Sequence, residues 1–171
     1  AYHSAWGVAF NASQRMAIEA DVTWKEQKDD AGIEGLKVAR SIALLSYRHY
    51  EVYGISQIED SNEVTDDFKS ESYQRYQGQK LANRFNAFSY YFLSKAMDAH
   101  NIGRHRQSIE LSLKEIKART LVIGISNDIL FPLEEQRFLA STINGAAFKA
   151  IDSFYGHDGF LLEYEIITKS I

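Results

Sequence analysis

The chain has 171 residues, of which 45% are hydrophobic and 25% are charged, a composition typical of a folded globular protein and not of a disordered one. Its formal net charge of −4, with lysine and arginine scattered among acidic residues, argues against nucleic-acid binding, because phosphates require a concentrated basic face. The absence of cysteine excludes disulfides, thiolate metal sites and a thiol nucleophile, and it fits a reducing compartment such as the cytoplasm.

The amino-terminal stretch does not have the pattern of a signal peptide. No apolar stretch has the length of a membrane helix, and "AYHSAWGVAF" lacks the basic start and apolar core of a signal peptide. The chain begins without methionine and enters an apolar pattern at once, which suggests a cleaved product or a segment of a longer protein. We therefore expect no membrane partner and a chain that is incomplete.

Residues 8 to 113 show the three- and four-residue spacing of apolar side chains that predicts helices. Helices are predicted in "VAFNASQRMAIEA", "GLKVARSIALLSYRHYEVYG", "FKSESYQRYQGQKLANRF" and "NAFSYYFLSKAMDAH", and a short amphipathic segment ends near Leu113. The acidic stretch from Asp60 to Asp67 is predicted to be an exposed connection. Through the last two long helices, an apolar set repeats at helical spacing and predicts core or helix–helix packing: Phe85, Phe88, Phe92, Ala96 and Ala99.

From Lys114 onward the pattern changes to alternating strands and helices. "TLVIGIS" is typical of a strand buried on both faces of a parallel sheet, "PLEEQRFLASTI" of a helix, "AFKAID" of a second strand and "FLLEYEIITKSI" of a closing helix. This order predicts the end of a doubly wound α/β sheet. Two strands cannot form a sheet that is buried on both faces, so we expect further strands from outside this chain.

Asp128 and His157 follow the two predicted strands, where functional groups of open parallel sheets gather. An aspartate and then a histidine on successive strand-end loops is the tail of the Ser, Asp, His order of α/β-hydrolases. The flanking Gly156 and Gly159 would allow a sharp turn. A turn-forming aspartate and a partly buried histidine are the alternative interpretation, and the spacing leaves both open.

Arg40 and Tyr47 lie seven residues apart on one predicted helix, which places them nearly in line two turns apart. A guanidinium and a phenol in this arrangement could hold a carboxylate or an ammonium-bearing substrate. A solvated arginine and an amphipathically packed tyrosine explain the spacing equally well.

A nucleophile is missing from the pattern. No G-x-S-x-G motif occurs, and Ser126 lies only two residues before Asp128, too close to be the nucleophile. The remaining histidines have no metal-ligand spacing with carboxylates, so we predict no metal site and expect them at the surface: His3, His49, His100 and His105.

Five blocks of the sequence, in order, resemble the homoserine O-acetyltransferase family: "HSAWGVAFNASQRMAIEAD", "GLKVARSIALLSYR", "ESYQRYQGQKLANRFNAFSYYFLSKAMD", "LVIGISNDILFP" and "YGHDGFLLE". The resemblance implies a partial α/β-hydrolase fold. Residues 1–113 would be a helical lid region with an entry segment from the core, and residues 114–171 the carboxyl-terminal part of the core. The family transfers an acyl group from coenzyme A, through an acyl-serine, to the homoserine hydroxyl.

The resemblance also implies roles for five residues. Asp128 would be the acid and His157 the base of a Ser–Asp–His triad. Asp158 would help to bind the homoserine amine, and Arg40 and Tyr47 would line the substrate pocket. The family's serine, in a Gly-Gly-Ser-Met-Gly-Gly context, and its oxyanion donors lie in an amino-terminal half that this sequence lacks, so we expect the chain alone to be inactive.

The partners implied by the resemblance are homoserine and acyl-CoA, with acetyl-CoA as a co-substrate and no permanently bound cofactor. The resemblance further implies a homodimer formed through the lid helices, a cytoplasmic location and a role in methionine biosynthesis. Two alternatives from other classes remain: a non-catalytic helical dimerisation module and an α/β-hydrolase esterase. Acetyl and succinyl donors are both compatible with these residues.

Overall fold

A computed structural model describes residues 1–26 and 28–171, which form two compact units. The helical unit comprises residues 4–45 and 53–99, and the sheet unit comprises residues 1–3, 46–52 and 100–171. The sheet unit thus takes in residues 100–113, which the sequence pattern groups with the preceding helices. The functional assignment of residues 1–113 as a lid and of residues 114–171 as part of the core stays a prediction. In the described part of the chain, no helix combines the length and apolarity needed to cross a membrane.

Nine helices and two strands follow one another in the described residues. The helices are α1 (Ala5–Glu19), α2 (Ile33–Tyr47), α3 (Tyr50–Gln57), α4 (Lys69–Ala82), α5 (Ala87–Asp98), α6 (Ile109–Lys114), α7 (Leu133–Thr142), α8 (Gly159–Leu162) and α9 (Tyr164–Thr168). The strands are β1 (Leu121–Ile125) and β2 (Ala147–Ile151), and a 3-10 turn spans Gly156–Asp158. Apart from two helix breaks described below, this is the order that the sequence pattern predicts.

The helical unit is held by a small apolar core from α1, α2, α4 and α5. Its fully or almost fully buried members are Ile18, Leu36, Ala39, Leu81 and Ala87, and aromatic side chains including Trp24 and Tyr91 pack against them. Helix starts are capped by side-chain oxygens: Ser4 accepts from Gly7 N in α1, and Asn86 from Ser89 N in α5. These caps satisfy backbone N–H groups that a helix leaves without partners.

Polar side chains connect α1 with α5 inside the helical unit. Arg15 contacts Asp98 at 2.6 Å, Asn11 donates to Asp98 at 2.7 Å, and the Tyr90 hydroxyl donates to Gln14 at 2.5 Å. The apolar set predicted to pack is divided. Phe85 packs against the core and Phe88 stacks on Trp24 at 4.6 Å, whereas Phe92 is 61% exposed. The packing prediction is therefore confirmed for Phe85 and Phe88 and wrong for Phe92, because the paired polar groups on the other face occupy the contact with α1.

The sheet unit contains β1 and β2, paired in parallel from Leu121↔Ala147 to Ile125↔Ile151. Parallel strands need a crossover, and α7 supplies it, as the sequence predicts. The carboxyl ends of both strands therefore lie side by side at one edge. Most of β2 is exposed in this two-stranded sheet, which agrees with the expectation that a sheet of two strands is incomplete.

Two predicted helices are broken. The helix predicted through "GLKVARSIALLSYRHYEVYG" ends at Tyr47 and resumes at Tyr50. In the sheet unit, the backbone of residues 47–49 approaches Gly156 so closely that a Cβ there would lie 2.9 Å from His49 N. This tertiary contact replaces a continuous helix with a turn. The closing helix divides at Glu163, whose backbone ψ of 37° is not helical.

Candidate active site

Asp128 is positioned by the loop that follows β1. Its backbone N–H donates to Ile125 O at 3.2 Å, and its Oδ1 accepts from the backbone N–H groups of Leu130 at 2.8 Å and Phe131 at 2.9 Å. The side chain is only 7% exposed. One carboxylate oxygen is thus fixed by its own loop, which leaves Oδ2 to point toward a partner.

His157 lies in the 3-10 turn that follows β2, and the glycines on either side have different roles. Gly156 has a φ of +64°, in the left-handed region that glycine adopts without strain, and it approaches the backbone of residues 47–49. Gly159 has ordinary helical φ, but a Cβ there would lie 2.6 Å from Ser153 Oγ. The first glycine allows the turn, and the second allows it to pack against the chain that leaves β2.

The structure brings Asp128 and His157 together. His157 Nδ1 lies 2.8 Å from Asp128 Oδ2, and the two side chains are 16% and 7% exposed. Since an ionised carboxylate can only accept, Nδ1 carries the proton in this bond, and in the neutral ring Nε2 is then the unprotonated nitrogen. The His157 side chain makes no other hydrogen bond within residues 1–26 and 28–171. The pair can therefore take up a proton at Nε2.

The pKa of the Asp128 carboxyl lies below its ordinary value. Burial by itself would raise this pKa, but the hydrogen bond from His157 and those from the Phe131 and Leu130 amides outweigh the effect of burial. The carboxylate is consequently ionised near neutral pH, as a group that stabilises an imidazolium must be.

Three aromatic rings surround the imidazole within the sheet unit. The ring centroids of Tyr47, Phe131 and Phe160 lie 5.4, 5.3 and 5.2 Å from that of His157, each tilted relative to it. Rings at this distance pack against the imidazole and shield it from water, and a low local dielectric strengthens the bond to Asp128. Tyr47, selected from the sequence as a substrate-binding residue, is thus beside the imidazole.

Asp158 forms an ion pair that the sequence did not predict. Its Oδ2 lies 3.5 Å from Arg48 Nε, and the side chains of Arg48 and Asp158 are 31% and 21% exposed. Arg48 lies in the turn between α2 and α3, where a continuous helix was expected, so helical spacing could not have paired it with Asp158. In the sequence, only its position directly after Tyr47 indicated that Arg48 lies near the site.

Arg40 lies on α2, seven residues before Tyr47, as predicted. It belongs to the helical unit, whereas Tyr47, Asp128, His157 and Asp158 belong to the sheet unit. Its role in substrate binding stays a prediction.

Ser126 Oγ donates to Asp152 Oδ1 at 2.6 Å, and within the described ranges no hydroxyl is hydrogen-bonded to His157. No group of three or more His, Cys, Asp or Glu side chains in the part of the chain that the structure describes could hold a metal ion.

Comparison with known proteins places these observations in a family context. No protein-family model matches the chain. A curated homoserine O-acetyltransferase of Cyclobacterium marinum is 51% identical over 162 residues, which are 95% of this chain and 46% of that relative. The chain spans about half the length of the curated relatives it matches.

Solved structures show the fold. The crystal structure of homoserine O-acetyltransferase from Bacillus anthracis superposes with a TM-score of 0.89 at 19% identity, covering 99% of this chain and 49% of that one. The crystal structure of esterase E22 superposes with a TM-score of 0.82 at 18% identity, covering 98% and 50%. The predicted partial α/β-hydrolase fold is confirmed by these likenesses.

Proposed function

Because the chain belongs to the homoserine O-acetyltransferase family as a carboxyl-terminal portion of its members, we propose that it supplies the acid and base of an acetyl transfer from acetyl-CoA to homoserine. The observation that carries the proposal is the 2.8 Å contact between His157 Nδ1 and Asp128 Oδ2 at neighbouring strand ends. The nucleophile is a serine in the part of the protein that this chain does not include.

In the proposed mechanism, His157 transfers protons in both half-reactions. Nε2 takes the proton of the serine hydroxyl as its oxygen attacks the thioester carbonyl, and then gives that proton to the departing coenzyme A thiolate. In the second half-reaction, Nε2 takes the proton of the homoserine hydroxyl, whose oxygen attacks the acyl-serine. The same proton returns to the serine oxygen as the ester leaves. Asp128 keeps Nδ1 protonated and stabilises the imidazolium in each step.

Recognition of the amino acid would rest on charged groups near the base. Asp158 follows His157 directly, so its carboxylate can meet the substrate ammonium close to the reacting hydroxyl, and Arg48 keeps that carboxylate paired in the free protein. Tyr47 lines the same place through its contact with the imidazole. A role of Arg40 in substrate binding rests on the family resemblance alone. The product would enter methionine biosynthesis in the cytoplasm.

The test uses a protein with a complete triad. The amino-terminal portion of the Cyclobacterium marinum relative that this chain does not match is joined to the chain, and coenzyme A release and O-acetylhomoserine are measured. We expect activity in the parent, a loss of about 10⁶-fold in kcat on His157→Ala, and no loss on the control His100→Ala, an exposed histidine. A His157→Ala protein that retains its rate would refute the proposal.

The same assay separates acyl transfer from ester hydrolysis, which uses the same dyad. Hydrolysis differs only in that water reaches the acyl-enzyme. If acetate forms at the same rate with and without homoserine, and no O-acetylhomoserine appears, the esterase alternative replaces this proposal.

A specific surface favours self-association as well. On α5, Phe92, Leu93 and Met97 are 61%, 60% and 45% exposed, and apolar helix faces of this kind favour pairing. We therefore propose that the helical unit pairs with that of a second copy. Light scattering on the chain tests this, and a monomer at micromolar concentrations would contradict it. Pairing without activity in the completed protein would favour the non-catalytic module.

A further inference from the structure

The two loops that carry Asp128 and His157 leave the sheet together and are tied beyond its last backbone rung. Regular strand pairing ends at Ile125↔Ile151, and Ser126 N donates to Ile151 O at 3.0 Å. At the next residue the donor is a side chain and not a backbone N–H, since Asn127 Nδ2 donates to Ser153 O. This amide connects the residue just before Asp128 with the chain that leads to His157.

Ser153 supports the turn that carries His157. The residue is buried at 6% exposure, and its Oγ accepts from Tyr155 N at 3.1 Å. Gly159, just beyond the turn, packs against it so closely that a Cβ would lie 2.8 Å from Ser153 Cβ. Fixing Ser153 therefore restrains both ends of the turn that carries His157.

The amide of Asn127 is held at an energetic cost. Its Oδ1 is buried and has no hydrogen-bond partner among the residues that the structure describes. A buried acceptor without a partner destabilises the folded chain. Turning the amide over would not help, because the oxygen would then face Ser153 O. The amide is therefore oriented with Nδ2 toward Ser153 O.

We propose that Asn127 is a positioning residue for the acyl-transfer reaction: its amide holds the two loops at the spacing that keeps His157 Nδ1 and Asp128 Oδ2 within hydrogen-bond distance. This inference rests on the proposed function. A general acid–base pair loses rate steeply when it is displaced, about 10²-fold for 1 Å. Without the amide, the bond of Ser126 to Asp152 and the dyad itself are the side-chain ties between the two loops in the part of the chain that the structure describes.

The experiment removes the amide in the completed protein described above. Asn127→Leu keeps the approximate shape without a donor, and Asn127→Ala removes the side chain. Asn144→Leu is the matched control, because Asn144 Nδ2 also donates to a backbone carbonyl, Lys114 O at 3.1 Å, but precedes β2 at the opposite end of the sheet. Kinetics, thermal unfolding and the downfield NMR resonance of the His157 Nδ1 proton are measured for each.

For both Asn127 variants we expect a kcat lower by about 10- to 100-fold, a KM for homoserine within about threefold of the parent, and a weakened or shifted Nδ1 proton resonance. Asn144→Leu should change none of these. Folded Asn127 variants with parental kcat and an unchanged resonance would overturn the inference. Unfolding of both variants would also overturn it, because Asn127 would then be a residue of general stability. A parent without acetyl transfer would refute the proposed function instead, while the resonance would still test the positioning.

Discussion

Replacing Asp128 by asparagine should disable the dyad through the tautomer of His157, and the structure determines how strongly. Oδ1 at this position accepts from two backbone N–H groups, those of Leu130 at 2.8 Å and Phe131 at 2.9 Å. An asparagine will keep its oxygen there, so its NH₂ group faces His157 Nδ1. The imidazole must then accept at Nδ1 and carry its proton on Nε2, where it cannot take a proton from a hydroxyl.

The size of the effect follows from the cost of escaping this arrangement. Turning the amide so that its oxygen faces His157 would leave two backbone N–H groups against an NH₂ group, a loss of about 1–3 kcal/mol for each. The total is about 2–6 kcal/mol. Since about 1.36 kcal/mol is a factor of ten, the fraction of molecules in which His157 Nε2 can accept a proton falls by about 30- to 25,000-fold. The loss of about 10⁴-fold known for an equivalent change in a serine-protease triad lies within this range.

The assay is coenzyme A release from acetyl-CoA by the completed protein at saturating homoserine. The control is Asp66→Asn, because Asp66 Oδ1 likewise accepts a backbone N–H, from Asp67 at 2.9 Å, on an exposed loop. We expect the control to keep the parental rate. An Asp128→Asn protein with kcat within about threefold of the parent would refute the reasoning, since neither the fixed oxygen nor the tautomer would then matter.

Two further predictions concern stability. The folded-state pKa of Asp128 is lowered, so its contribution to the free energy of unfolding should be full above about pH 4 and lost as the pH falls through the folded-state pKa. Urea denaturation over a pH series should show the difference between the chain and Asp128→Asn narrowing on acidification, and a constant or widening difference would contradict this. A Cβ at Gly35 would lie 2.5 Å from Ala17 O and Ile18 Cα, whereas Gly54, in α3, has open space around it. Gly35→Ala should therefore cost about 1–3 kcal/mol or more, and Gly54→Ala should add about 0.5–1 kcal/mol of stability, measured by the same denaturation. Equal effects at the two glycines would count against this packing.

The dyad was predictable because its signals are local. A continuous β-branched run predicts a buried strand, parallel strands end at a common edge, and residues just after each strand end are therefore neighbours. Asp128 follows such a run and His157 follows the shorter strand predicted in "AFKAID", so their order along the chain made them candidates for a pair. Assigning them to acyl transfer required the family resemblance, since proton transfer by such a pair serves many reactions.

Other contacts of the site could not be predicted from the sequence pattern. The helix through residues 35–54 has no internal proline, and it breaks at Arg48 because Gly156 packs against the backbone of residues 47–49. The Arg48–Asp158 pair exists only as a result of this break. The bond from Asn127 to Ser153 likewise depends on how two loops 26 residues apart in sequence diverge.

The helical unit shows the same division between local and tertiary information. Apolar spacing predicted that α5 is a helix, but it selected the face with Phe92 for packing, and that side chain is 61% exposed. The face that packs on α1 carries Tyr90 and Asp98, whose partners Gln14 and Arg15 are more than 70 residues away in sequence. By itself, the sequence determined the order of elements and made Asp128 and His157 candidates for a pair, because short-range spacing and strand-end position encode them. Only the tertiary structure decided where α2 ends, which face of α5 is covered and which side chains support the dyad, because each depends on a contact between distant segments.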